Sequence, residues 1–190
     1  VDDVIIGCVS QVGSQTANIG RGVVLSSHSL PSTVPRTTVD RQCGSSQQAI
    51  HFAAQAVMSG TQDIVIAGGV ESMTAVPMTG WKPSPHPGLL DSYPEVYMPM
   101  GLTAEEVATR FDVSREEQDA FALKSQQKAS AAIQKNVFRD EIVPVPLPDG
   151  SVFEQDELPR PQTTAEGLAK LRPAFKQGGS VTAGNASPLS

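Results

Sequence analysis

The sequence predicts an α/β fold with a parallel sheet, and three observations support this prediction. Residues 4–9 and residues 64–67 are short continuous apolar runs, which are typical of strands buried on both faces of a sheet. Between these runs, apolar residues after Ser45 recur at the i, i+3, i+4 spacing of a helix, up to a stop at Gly60. The resulting order of strand, helix, strand, helix, strand indicates helices that cross over between parallel strands.

The remaining elements of this first region follow from local patterns. Thr16 is expected to cap a helix that begins near Asn18, and residues 34–42 are expected to form the strand that leads to the second helix. That helix is apolar over most of its circumference, so we expect it to be buried. The pair Gly68 and Gly69 follows the last apolar run, where glycine allows a close backbone approach or a positive φ, and it is expected to form a turn.

A change of composition separates this region from the rest of the chain. Residues 75–102 are rich in Pro, Gly, Met and Tyr, and their six prolines exclude long regular elements. A stretch of this length inside a compact domain is usually functional or an inserted subdomain. We therefore expect the layered pattern to be interrupted here.

The region after residue 102 predicts short helices and a small hairpin. Two capping boxes, Thr103 with Glu106 and Ser114 with Glu117, are expected to start helices that end near residues 111 and 136. The later elements are a hairpin that turns at Asp149-Gly150 between residues 142–147 and 152–153, a helix at 165–171 and a return strand at 180–183.

Bulk composition excludes several classes of protein. The 190 residues are 39% hydrophobic without an apolar run near about 18 residues, so no membrane span is expected. The 14 basic and 20 acidic residues give a net charge of −6, which argues against a general nucleic-acid-binding protein. The three histidines are isolated, and no Cys/His spacing indicates a metal site.

The two cysteines are predicted to differ in role. Cys8 lies in the first apolar run and is expected in the core, whereas Cys43 lies just before the helix that starts at Ser45. Unpaired N–H groups and the helix dipole at that position favour a thiolate, which is the nucleophilic form. From position alone, a small buried hydrophobe is an equally good interpretation of Cys43. Two cysteines are too few for a disulfide framework and fit a reducing compartment, although a Cys8–Cys43 bridge stays open.

The segment around Cys43 resembles a known family. The sequence DRQCGSSQQAI at 40–50 is similar to the nucleophile segment of the thiolases, the acetyl-CoA C-acyltransferases and 3-ketoacyl-CoA thiolases. Further similar segments follow in order: AGGVESM at 67–73, GLTAE at 101–105, SREEQD at 114–119, LRPAF at 171–175 and TAGNAS at 182–187. The resemblance covers essentially all 190 residues.

This resemblance implies an α/β fold of a particular kind. We expect one thiolase-like layered α/β/α half with an inserted α+β loop domain, and a second half that is absent from this chain. The implied division is an N-terminal thiolase α/β domain at 1–74 that is incomplete at its start, a loop domain covering coenzyme A at 75–182, and a return into the N-terminal domain at 183–190.

The resemblance also implies an acyltransferase reaction. Cys43 matches the family cysteine that carries the acyl group, in thiolytic cleavage of a 3-ketoacyl-CoA or in the reverse Claisen condensation. Such reactions belong to fatty acid and other lipid metabolism, including β-oxidation. The family histidine and second cysteine lie in Gly-His-Pro and Cys-x-Gly-Gly-Gly segments that do not occur here, so the chain is expected to be inactive alone. Glu71 follows a strand and is not counted as catalytic.

Residues of the second region are implied to bind coenzyme A, which would be a substrate together with acyl-CoA, without a tightly bound cofactor. Arg160 matches a family arginine near the adenosine phosphates, and a guanidinium group suits phosphate. A solvated basic face is the alternative, because residues 160–176 hold four basic residues and one acidic residue. The other matches are Met100 in the pantetheine tunnel and Ala183, Gly184 and Ser187 along the pantetheine arm.

Two other functions stay open at this point. One is a decarboxylating ketoacyl synthase of the same superfold, against which the LRPAF segment argues. The other is a truncated, non-catalytic module that binds acyl-CoA or dimerises. The thiolase resemblance implies a homodimer or homotetramer in the cytoplasm, without nucleic-acid or membrane partners.

Overall fold

The chain contains two compact units. The computed structural model describes residues 1–78 and 84–189, and the units are Val1–Ser84 with Leu189–Ser190, and Pro85–Pro188. The division into 1–74, 75–182 and 183–190 refers to family domains, which these units do not test, and it stays a prediction.

The first unit is a layered α/β structure, as predicted. Its elements in chain order are β1 (Asp3–Gly7), α1 (Ile19–Ser26), β2 (Arg36–Val39), α2 (Ser45–Met58) and β3 (Val65–Gly69). The strands are parallel in the order β2-β1-β3, with Val4 opposite both Arg36 and Ile66. Each pair of consecutive strands in the chain is therefore joined by a crossover helix.

The central strand β1 is buried on both faces. Val4 and Ile6 pack with Val24 of α1, whereas Ile5 packs with Ala49 and Ala53 of α2. Because successive side chains of a strand point to opposite faces, α1 and α2 cover opposite faces of the sheet. The continuous apolar run was thus a correct signal for a two-sided strand.

The beginning of α1 differs from the prediction. The capping residue is Asn18 and not Thr16, since the Asn18 side chain accepts a hydrogen bond from the amide of Arg21 at 3.2 Å. Asn18 has a φ of 65°, a left-handed conformation that Asn tolerates better than most residues. Thr16 instead follows a short 3-10 turn at Gly13–Gln15.

The predicted strand at 34–42 is longer than the observed β2. The strand ends at Val39, because Asp40 accepts a hydrogen bond from the amide of Gln42 at 2.7 Å and Gln42 has a φ of 47°. This turn separates β2 from Cys43. The turn predicted at Gly68 and Gly69 is also wrong, since both residues belong to β3 and pair with β1. The close backbone approach expected at this pair is present at Gly69, where a side chain would collide with Ser46.

Helix α2 is less buried than its composition predicts. Ala49 and Ala53 are buried, but Ile50 is 54% exposed, and Phe52 and Val57 are 41% and 45% exposed. One face of the helix packs on the sheet. The apolar pattern is therefore wider than the face that the three strands cover.

The second unit consists mainly of helices. Its elements in chain order are α3 (Pro87–Ser92), α4 (Met100–Arg110), α5 (Arg115–Gln134), β4 (Val145–Pro146), β5 (Val152–Phe153) and α6 (Ala165–Ala169). Strands β4 and β5 pair antiparallel across a turn in which Gly150 has a φ of 85°, as predicted. The short helix α3 and the start of α4 thus lie within the proline-rich stretch at 75–102. Residues 79–83 of this stretch lie outside the described residues.

Only one of the two predicted capping boxes forms. The Ser114 hydroxyl accepts from the amide of Glu117 at 3.1 Å, and the Glu117 carboxylate accepts from the amide of Ser114 at 2.8 Å. The box at Thr103 is wrong, because α4 already begins at Met100 after Pro99. Thr103 lies inside the helix, where its hydroxyl donates to the Pro99 carbonyl at 3.3 Å.

The return strand predicted at 180–183 is also absent. A single antiparallel bridge joins Pro173 and Thr182, and the amides of Ser180 and Val181 donate to the carboxylate of Glu105. The Glu105 carboxylate thus binds two amides that a longer partner strand would otherwise bind. None of the helices in the described parts of the chain is long and apolar enough to cross a bilayer.

Candidate active site

Cys43 lies on a tight turn at the start of α2. Its side chain is exposed and free, two residues before the first helical residue, Ser45. The Ser45 hydroxyl donates to the carbonyl of Gln42 at 2.6 Å and accepts from the amide of Arg41 at 2.9 Å. The turn that carries the thiol is thus tied to the buried first residue of the helix.

The same helix start lies against two strand ends of the first unit. A side chain on Gly7, at the end of β1, would collide with the backbone of Ser45 and Ser46, and one on Gly69 of β3 would collide with Ser46. The close approach therefore requires glycine at both positions. It places Cys43 near the carboxyl edge of a parallel sheet, where α/β proteins commonly have their sites.

Cys8 has an environment unlike that of Cys43. It is 1% exposed, and burial raises the pKa of its thiol, with a further contribution from the nearby carboxylate of Glu71. A buried neutral thiol is a poor nucleophile. Of the two cysteines, Cys43 is the one whose thiol a substrate can reach.

The carboxylate of Glu71 is hydrogen-bonded to the loop after β1. Its carboxylate accepts from the amides of Val9 and Ser10 at 2.8 and 3.2 Å and from Gln15 Nε2 at 2.7 Å. Burial acts to raise the pKa of Glu71, but these hydrogen bonds hold it below its usual value. The carboxylate thus fixes the loop after β1.

The second unit contains a cavity at which three predicted binding residues meet. It has a volume of about 360 Å³ and is lined by Arg160, Ala183 and Gly184. Its other lining residues are Gln126, Leu158, Gln162, Thr163, Thr164, Gly167, Leu168, Leu171, Ala186 and Pro188. One charged residue, Arg160, thus lies in a wall of mixed polar and apolar groups.

A larger cavity in this unit fits an anionic ligand less well. It has a volume of about 590 Å³, and its charged lining residues are Arg139, Glu154 and Asp156. Two carboxylates against one guanidinium group disfavour a phosphate. None of the residues predicted to bind coenzyme A lines it.

Two predicted binding residues lie outside both cavity walls. Met100 is the first residue of α4 and is 65% exposed, and Ser187 is exposed between Ala186 and Pro188 of the smaller cavity. Their assignment to the pantetheine arm stays a prediction.

Sequence reasoning missed the contact that fixes the backbone at Arg160. Gln126 Oε1, on α5, accepts from the amide of Arg160 at 2.7 Å. The two residues are 34 positions apart, and α5 presents Gln126 in a run of polar residues that look equally solvated. No local signal distinguishes it.

Acidic residues, cysteines and histidines are the side chains that could ligate a metal ion. Within residues 1–78 and 84–189, no group of three or more His, Cys, Asp or Glu side chains could hold a metal ion.

The sequence of this chain is similar to those of known proteins from one family. The family model described as "Thiolase, N-terminal domain" matches residues 1–190. The 3-ketoacyl-CoA thiolase of Bacillus subtilis is 48% identical over an alignment of 202 positions that covers 100% of this chain and 51% of that protein.

Solved structures show the same similarity in three dimensions. The crystal structure of the Bacillus anthracis acetyl-CoA acetyltransferase has a TM-score of 0.84 and 39% identity, over 98% of this chain and 50% of that one. The dimeric peroxisomal thiolase of Saccharomyces cerevisiae has a TM-score of 0.84 and 38% identity, over 97% of this chain and 48% of that one. The chain spans about half the length of the curated relatives it matches.

Proposed function

The chain belongs to the thiolase family, and from this membership we propose that the protein containing it transfers acyl groups between acyl-CoA and coenzyme A through a thioester on Cys43. The observation that carries the proposal is the exposed thiol of Cys43 on a rigid turn at the start of α2. Covalent catalysis by a cysteine requires a thiol that the substrate can reach and an environment that favours the thiolate.

In the degradative direction, the proposed reaction has two steps. The Cys43 sulfur forms a bond to the 3-keto carbon of a 3-ketoacyl-CoA, the bond between C2 and C3 breaks, and acetyl-CoA leaves after its C2 takes a proton. The thiol of coenzyme A then attacks the thioester, which releases the shortened acyl-CoA and returns a proton to Cys43. The proton-transferring histidine and second cysteine are expected from the half of the family's length that this chain does not span.

The cavity of about 360 Å³ in the second unit is proposed to bind part of coenzyme A. Its guanidinium group, on Arg160, suits a phosphate because its donors can pair with two oxygens at once. Ala183 and Gly184 line the same cavity, and the family resemblance assigns them to the pantetheine arm. With a net charge of −6 on the chain, an anionic ligand needs such local positive charge.

The names of the relatives favour thiolase chemistry over the alternatives. They are 3-ketoacyl-CoA thiolases, acetyl-CoA acetyltransferases and a β-ketoadipyl-CoA thiolase. These names do not favour a decarboxylating condensing enzyme or a non-catalytic module. We infer that the substrate is a 3-ketoacyl-CoA or acetyl-CoA, without a tightly bound cofactor.

A homodimer or homotetramer in the cytoplasm belongs to the same proposal. One similar solved structure is described as a dimeric peroxisomal thiolase, which supports an oligomer. The two free cysteines are compatible with a reducing compartment. Light scattering of the purified full-length protein would give the oligomeric state.

The proposal predicts that Cys43→Ser in the full-length protein abolishes thiolysis while leaving substrate binding in place. A hydroxyl is far less nucleophilic than a thiolate, and an alkoxide does not form readily at neutral pH. We expect a loss of at least about 10³-fold in kcat, with the Kd of acyl-CoA within about threefold of the wild-type value. The measurements are steady-state thiolysis and equilibrium binding, and turnover that survives the substitution would contradict a covalent role for Cys43.

A further inference from the structure

We propose that Asp119 is a positioning residue that holds together the two walls of the cavity of about 360 Å³, and so sets the affinity for coenzyme A. The inference rests on the function proposed above, because it assumes that this cavity binds coenzyme A. Asp119 does not line the cavity itself. It lies one helical turn into α5, where its side chain is buried.

One oxygen of Asp119 connects to the wall formed by α6. Asp119 Oδ2 accepts from Arg115 Nε at 2.8 Å, and Arg115 Nη2 donates to the carbonyls of Leu168 and Leu171 at 2.7 and 3.0 Å. Both leucines line the cavity. The guanidinium group thus needs its carboxylate partner in order to keep the end of α6 in place.

The other oxygen of Asp119 connects to the opposite wall. Asp119 Oδ1 accepts from Asn185 Nδ2 at 2.9 Å, while Asn185 Oδ1 accepts from the amide of Thr182 at 2.7 Å. These bonds close the loop that carries Ala183 and Gly184, and Thr182 at its base is fully buried. Asp119 therefore fixes the loop through Asn185.

The two walls meet at Gly184 with little spare room. A side chain on Gly184 would collide with the ends of Leu168 and Leu171. A small displacement of either wall therefore changes the shape of the cavity, since close-packed surfaces do not deform continuously. Asp119 is the side chain that bonds toward both walls at once.

The test compares matched variants of the full-length protein. Asp119→Asn keeps the shape of the side chain but turns one acceptor into a donor, which faces either Arg115 or Asn185 without a partner. Glu117→Ala removes the two bonds that the Glu117 carboxylate accepts from the amide and the hydroxyl of Ser114, on the same helix, and leaves the bonds of Asp119 untouched. Arg160→Gln removes the charge of the cavity itself.

We expect Asp119→Asn to raise the Kd of coenzyme A about tenfold, the size of change that loss of one charge-assisted hydrogen bond produces. The maximal rate of Cys43 acylation at saturating 3-ketoacyl-CoA should change by less than about threefold, because the reacting groups stay in place. Glu117→Ala should lower the melting temperature and leave the Kd unchanged. If Asp119→Asn does not fold, Asn185→Ala decides, since it keeps the ion pair and releases the loop alone.

Several outcomes would overturn the inference. The inference is wrong if Asp119→Asn binds coenzyme A with the wild-type Kd or, where that variant does not fold, if Asn185→Ala does. It is also wrong if Glu117→Ala raises the Kd as much as Asp119→Asn does. If Arg160→Gln weakens binding while Asp119→Asn does not, the cavity binds coenzyme A and only the positioning role fails. If Arg160→Gln has no effect, or if the wild-type protein does not bind coenzyme A, the assignment of the cavity fails and the inference fails with it.

Discussion

At the residue scale, one buried carboxylate of the second unit binds backbone amides far away in the sequence. Glu105 is 4% exposed and accepts from the amides of Ser180 and Val181 at 2.9 and 2.8 Å. Burial alone would raise the pKa of Glu105, but these amides, the Ser180 hydroxyl and the charge of Lys176 hold it below its usual value. The charged form of Glu105 is therefore the one that stabilises the fold.

We predict that Glu105→Gln destabilises the protein by roughly 1–3 kcal/mol at neutral pH, because an amide group then faces backbone donors in a buried site. The pKa of Glu105 is lowered on folding, so its contribution is complete above the unfolded-state pKa near 4.3 and is lost as the pH falls through the lower pKa of the folded state. The difference in melting temperature between wild type and variant should therefore shrink below about pH 4.3.

The neighbouring Glu106 provides the control for this prediction. It is exposed, and its carboxylate lies 4.0 Å from Lys176 Nζ, so Glu106→Gln should have little effect. An equal loss of stability in the two variants, or a difference for Glu105→Gln that grows on acidification, would contradict the role assigned to Glu105.

Cys43 and Glu105 show what local sequence patterns can and cannot predict. The position of Cys43 was predictable, because the apolar spacing after Ser45 fixes where the helix begins. The role of Glu105 was not predictable, since the residues whose amides it binds lie 75 and 76 positions away. The local pattern predicted only a capping box between Thr103 and Glu106, in which Glu105 has no part. For Arg160, Ala183 and Gly184 the family resemblance, and not the local pattern, indicated a shared function.

At the scale of elements, the position of Cys43 depends on how closely α2 approaches the sheet. The strand ends at Gly7 and Gly69 touch Ser45 and Ser46 without space for a side chain. Any group added there must push the start of the helix outward, together with the turn that carries the thiol.

We predict that Gly7→Ala lowers the free energy of unfolding by about 1–3 kcal/mol, the usual cost of overpacking, and slows acylation of Cys43 by at least about tenfold. The matched control is Gly68→Ala, because a side chain at Gly68 of β3 would have no atom within 4 Å. The measurements are urea denaturation and the rate of acyl-adduct formation. Equal behaviour of the two variants would show that the close approach is unimportant.

The starts of α4 and α5 show when an element boundary can be predicted. The capping box at Ser114 involves groups three residues apart, so its sequence signature suffices. The equivalent pattern at Thr103 failed because α4 already begins at Met100, about one turn earlier. The return strand at 180–183 failed because a distant carboxylate satisfies its amides.

At the scale of the whole molecule, the chain matches about half the length of its relatives, and each of its two units has one proposed task. The first carries an exposed cysteine at the end of a parallel sheet, and the second carries a cavity with one guanidinium group. The layered α/β class was predictable because two apolar runs and a helical repeat alternate along the chain. The exposure of one apolar face of α2 was not predictable. The spacing of apolar residues shows which side chains are apolar, but not which face of the helix other elements cover.

The most direct test of the account is the intact mass of the full-length protein before and after incubation with a 3-ketoacyl-CoA, followed by peptide mapping. If acyl transfer proceeds through Cys43, the protein gains an acyl group of the mass expected for the shortened chain, on the peptide that contains Cys43. The buried Cys8 is the internal control and should stay unmodified. An adduct on another residue, or turnover without any adduct under conditions that trap a thioester, would contradict acyl transfer through Cys43.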